Sequence, residues 1–163
     1  MQEPIEYSLD YATATIGLSL TTERFTVRTQ GKGLLDKPRT IAIPPADVAK
    51  FCVVPAIVAQ TIVGRTAEGT LHDQAYDAEF IFSYQDHGKL KKKRLFVNSR
   101  DEAFQRLLKA LGERCPAASL LHLEPAEAQK QIGVLSGSQG LRIVIGLLVG
   151  VPVLIVLAVV LFG

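Results

Sequence analysis

From Ile143 to Phe162 the chain runs for twenty residues without a charge or a side-chain hydrogen-bonding group. At about 1.5 Å of rise per residue, such a helix spans roughly 30 Å, the thickness of a bilayer's hydrocarbon core. Val, Leu and Ile dominate the run, so a helix made from it has no wet face to turn outward. The expected element is a single transmembrane helix over 141–163. Gly146 and Gly150 form a G-x-x-x-G step and Ala158 continues the same face, a small-residue stripe that suits a homodimer or docking on another membrane protein. Pro152 removes one backbone hydrogen bond and predicts a kink.

Arg142 and Lys130 precede the apolar run and no charge follows it, so the upstream domain is expected to face the cytoplasm. The topology is then that of a single-pass tail anchor, in the inner or plasma membrane if the source is bacterial. The acidic opening, Met1 to Glu6, lacks the basic and apolar regions of a secretory signal. Cys52 and Cys115 stand alone rather than in a C-x-x-C pair, which suits reduced thiols, although one bridge between them is open.

About 140 residues remain for a soluble part, enough for one domain with a core. From Tyr11 to Val97 the pattern is of short strands. Residues 15–20 alternate, as do 24–28, with Thr21-Thr22-Glu23 as a tight connection. Gln30-Gly31-Lys32-Gly33 marks a loop, 39–43 reads as a third strand stopped by Pro44-Pro45, and 47–54 as a fourth. A fifth is expected over 57–63. Glu79–Tyr84 and Lys93–Val97 flank Asp86-His87-Gly88-Lys89 as a hairpin with a glycine turn.

Then the period changes. Ser99-Arg100-Asp101-Glu102 has the capping-box form, with Ser99 as the cap and Glu102 reaching back. Phe104, Leu107, Leu108 and Leu111 follow on one helical face, predicting a helix over about 100–114, bounded by Gly112 and Pro116. The domain is expected to occupy 1–116. The Ala, Gln, Gly and Ser content of 117–140 predicts a flexible linker.

Some seven short strands closed off by one amphipathic helix is an order that resembles the pleckstrin-homology-like superfamily, from about Tyr11 to Arg114. The stretch carrying the resemblance most clearly is Leu95-Phe96-Val97 followed by Ser99-Arg100-Asp101-Glu102-Ala103-Phe104. Ile41-Ala42-Ile43-Pro44-Pro45-Ala46-Asp47-Val48 also looks like the third-to-fourth strand join of GRAM-type members. The resemblance implies a mainly β (α+β) fold: a small antiparallel barrel capped by a C-terminal helix, and a binding module rather than an enzyme. Two departures stand out. The chain has no Trp for that helix, where Phe104 is the candidate to fill the core. The turn Thr21-Thr22-Glu23-Arg24, with Arg28 beyond, lacks the clustered bases of an inositol-phosphate cradle.

The basic run Lys89, Lys91, Lys92, Lys93 and Arg94 is the candidate contact for an anionic lipid or a partner. Its alternative role is to keep an edge strand from pairing with other chains. Alternation sends Lys91 and Lys93 to one face and Lys92 and Arg94 to the other. His72, His87 and His122 are scattered, with no metal-ligand spacing and no nucleophile motif, so neither metal nor other cofactor is expected. His72-Asp73 is the one acid/base pair that an enzyme reading would use. The aromatic residues suit a core better than a nucleic-acid stacking platform. The expected function is a membrane-tethered, non-enzymatic interaction module, possible accessory subunit of a membrane complex, with anionic-lipid binding as the alternative and an enzyme as the third reading.

Overall fold

A computed structural model describes residues 3–11, 13–56 and 76–134. Among these residues seven strands form two antiparallel sheets: β1 Ile5–Tyr11, β2 Ala14–Leu20, β3 Phe25–Gly31 and β4 Arg39–Ile43 in the first, and β5 Val48–Pro55, β6 Ala78–Asp86 and β7 Lys89–Val97 in the second. Each sheet is a meander in chain order. Two helices follow, α1 Glu102–Arg114 and α2 Pro125–Ile132.

Period-two alternation sets the core. Tyr7 and Leu9 pair with Leu18 and Ile16, Leu18 with Val27, and Phe25 with Ile43, all buried on one face of the first sheet. Phe51, Phe80, Phe82, Leu95 and Val97 meet them from the second. Helix α1 brings Phe104, Leu107 and Leu111 into the same core, each fully buried. Phe104 packs 5.1 Å from the Tyr7 ring and 5.8 Å from Phe80, so it does fill the core position expected of it.

The mainly β architecture with a closing amphipathic helix is as expected; a closed barrel is not seen. Strand β4 pairs only with β3, and β7 only with β6, among the described residues. The first strand was not expected. Its signal lies in the alternation of Ile5, Tyr7, Leu9 and Tyr11, interrupted by acids and lying before Tyr11, where the strand pattern is expected to begin. The expected strand over 57–63 lies outside the described residues, as do His72 and Asp73.

The cap of α1 also differs from the expected box. Asp101 is the N-cap, its Oδ1 accepting from the Ala103 and Phe104 N–H groups at 2.7 and 3.2 Å. Ser99 instead donates its N–H and hydroxyl to the Asp77 carboxylate at 2.6 and 2.8 Å, joining the helix entrance to the start of β6. A carboxylate two residues from the first orphan amides is a stronger acceptor than a hydroxyl.

Much of the expected linker is folded. After a 3-10 turn at Pro116–Ala118, the Leu120 N–H donates to the Phe51 carbonyl at 2.9 Å, covering part of the β5 edge. Helix α2 then lays Ala128 and Ile132 on Cys52, Val54 and Ile81, the outer face of the second sheet. Gly133 ends the helix at φ 74°, a left-handed value that suits glycine. The linker reading failed because only three apolar residues mark this short helix, and their docking surface is made by strands far away in sequence. No helix among the described residues is long and apolar enough to cross a membrane. The expected span over 141–163, with Gly146, Gly150 and Ala158, lies outside them.

Candidate interaction surface

The two-residue tip of the β6–β7 hairpin explains how the basic strand is presented. His87 and Gly88 both take positive φ, 50° and 76°, the turn type whose twist matches paired strands. Asp86 then faces Lys89, and the register runs unbroken to Ala78 opposite Val97.

This register divides the basic run, as alternation predicts. Lys93 stands opposite Phe82 and Lys91 opposite Tyr84, on the face that carries the core. Lys92 stands opposite Ser83 and Arg94 opposite Ile81, on the face that carries α2. The two sets meet different partners. Lys91 pairs with Asp86, whose carboxyl is held below its usual range by that hydrogen bond, while the Lys91 ammonium is pushed up by the same contact. Arg94 Nε lies 3.1 Å from Glu79 Oε2, a buried carboxylate oxygen for which this ion pair is the compensation. Lys92 Nζ donates to the Gly133 carbonyl at 2.7 Å.

Lys50 repeats the last arrangement from β5, donating to the Gln131 carbonyl at 3.0 Å. Two ammonium groups thus sit on the unsatisfied carbonyls at the end of α2, where the helix dipole favours cations. Lys92 and Arg94 therefore serve the fold. Lys89 and Lys93 make no ion pair or side-chain hydrogen bond among the described residues. The five basic residues do not form one patch.

A cleft opens where the sheets fail to meet. One cavity of about 480 Å³ has Thr40, Ile41 and Ala42 of β4 on one wall and Tyr84, Asp86 and Lys91 of the hairpin on the other. A second, about 490 Å³, lies between Lys37, Arg39 and Lys93. The result is a cleft between β4 and the hairpin, lined by Lys37, Arg39, Lys91 and Lys93 and also by Asp36, Asp47 and Asp86. Sequence reading missed it, because β4 and β7 are separated by more than forty residues and only the fold sets them face to face.

The β3–β4 loop borders the second cavity. A turn closes it, with the Asp36 N–H donating to the Gly33 carbonyl and the Gly33 N–H to Asp36 Oδ2, each at 3.1 Å. A Cβ on Gly31 would lie 2.1 Å from that carboxylate, so glycine is required for the close approach. The turn presents Leu34 and Leu35 to solvent, with relative exposures of 103% and 91%.

His87 is almost wholly exposed, His122 is exposed, and among the described residues no group of three His, Cys, Asp or Glu is placed to hold a metal. Cys52 and Cys115 are free and buried, and burial pushes the Cys52 thiol up to about 11. Comparison with protein-family models, curated proteins and solved structures finds no match to this chain.

Proposed function

We propose that the chain is a non-enzymatic interaction module of pleckstrin-homology-like type, held at the cytoplasmic face of a membrane by the apolar run 143–162, and that it binds an extended segment of a protein partner beside the bilayer. One observation carries the binding mode: the unclosed cleft between β4 and β7. Each strand has an unpaired edge there among the described residues, and an incoming extended chain gains affinity by pairing its backbone with such an edge. The division into four strands, three strands and a closing helix supports the kinship, and the apolar run supports the anchorage.

A photo-crosslinking side chain at Thr40 of the full-length chain, activated in membranes before solubilisation in mild detergent, tests this reading. A stoichiometric protein adduct that is absent when the probe is at Ser8, on the exposed face of β1, is the expected result. Adducts to lipid alone would sink it.

Anionic-lipid binding is the second reading, favoured by the unpaired cations Lys89 and Lys93 on the strand first singled out. Co-sedimentation with anionic vesicles at low and high salt separates the two, since charge-driven lipid binding weakens with salt.

A further inference from the structure

We propose that the β3–β4 loop is a membrane-contact element: Leu34 and Leu35 insert into the interface of an anionic leaflet while Lys37, Arg39 and Lys93 meet its headgroups. The inference rests on the anchored reading above and adds the face that the domain turns to the bilayer.

Four observations converge. Leu34 and Leu35 are adjacent and almost fully exposed, whereas the next most exposed large apolar residue among the described residues is Leu90 at 52%. They sit on a built turn, fixed by both Gly33–Asp36 hydrogen bonds, so little ordering is lost when the turn enters an interface. The nearby acids are occupied: the Asp36 carboxylate turns in toward Gly33, and Asp10 is 2.8 Å from Lys32 Nζ. Lys37, Arg39 and Lys93 line one cavity with Leu35 and Asp36 and make no ion pair among the described residues, which sets three cations beside an exposed apolar side chain. That combination suits an anionic lipid interface, and its like charges oppose the same surface on a second copy.

Lys92 holds Gly133, the end of α2, while Lys93, its neighbour on β7, borders the loop's cavity. Eight residues, 135–142, separate Val134 from the apolar run, a reach of at most about 30 Å. A tether of that reach lets the loop touch the bilayer into which the run inserts.

The test uses the full-length chain in lipid discs, carrying an environment-sensitive fluorophore at Leu34→Cys or, as control, at Thr22→Cys. Thr22 is exposed in the β2–β3 turn, which Arg114 of α1 joins at the other end of the first sheet. In discs with about 30% phosphatidylserine, a nitroxide-labelled lipid should quench the probe at 34 at least about threefold more than at 22. Lys37→Glu with Arg39→Glu should abolish that difference. Equal quenching at the two positions, or a probe at 34 that is shielded from water but not reached by lipid nitroxide, would overturn the proposal, the latter indicating a protein partner. Flotation with pure phosphatidylcholine vesicles reads the anchor separately. If the chain fails to float there, the anchored reading falls, and quenching at 34 on phosphatidylserine vesicles still decides the loop.

Discussion

Lys92 of β7 donates from Nζ to the carbonyl of Gly133 at 2.7 Å, tying the basic strand to the last turn of α2. The contact turns a charge that reads as a binding feature into a helix cap, and it brings the chain's course toward the apolar run up against β7. Beneath it, Ile132 is 3% exposed in the small cluster with Cys52, Val54 and Ile81.

Truncating that anchor should loosen α2 alone. Ile132→Ala removes a buried side chain from a satellite cluster and should cost about 2–4 kcal/mol of local stability. Hydrogen exchange should show faster exchange over 125–134, with the amides of α1 still protected. Uniform loss of protection would mean that the two clusters unfold as one.

The thiols offer a second readout of the same helix. Both are buried, and burial raises the pKa of each, that of Cys52 to about 11. Neither should react with a thiol reagent at pH 8 in the native protein, since the thiolate is the reactive form. Ile132→Ala should accelerate Cys52, which lies under α2, and leave Cys115 unchanged. Above about pH 9 the unfolded chain releases these protons before the folded one does, so stability should fall as pH rises.

Capping can be assigned by paired substitutions. Asp101→Ala removes the acceptor for two first-turn amides and should lower stability by about 1 kcal/mol in denaturant titration. Ser99→Ala should remove the hydroxyl bond to Asp77, leaving the backbone N–H bond in place, without exposing the Ala103 and Phe104 amides to exchange. Reversed effects would restore the capping box that the sequence suggests.

The hairpin tip should respond to acid. Lys91 holds the Asp86 carboxyl below its usual range, so across that range the folded protein binds fewer protons than the unfolded one. The Asp86 contribution is present above the ordinary carboxylate pKa and is lost as pH falls through the lowered value. A carboxyl-resolved NMR titration should find Asp86 titrating below its position in Lys91→Met, and identical midpoints would refute the pairing.

The hairpin was legible because its signals are local: alternating strands around a glycine turn. So was α1, where Phe104, Leu107 and Leu111 repeat at helical spacing. Strand β1 was equally present in the alternation of Ile5, Tyr7, Leu9 and Tyr11, but its intervening acids masked it. Helix α2 was not legible, since eight residues are too few to announce a face whose partners lie on β5 and β6.

The sequence by itself determined the strands, the closing helix, the alternating faces of the basic run and an apolar stretch of membrane-spanning length. Periodicity and turn chemistry act over a few neighbouring residues, which is why a linear reading reaches them. Tertiary structure alone decided that Lys92 and Arg94 hold Gly133 and Glu79, that β4 and β7 face one another across a cleft, and that Leu35 lines a cavity with Lys93. Those relations depend on which distant strands pack together, a choice made by burial of the whole core.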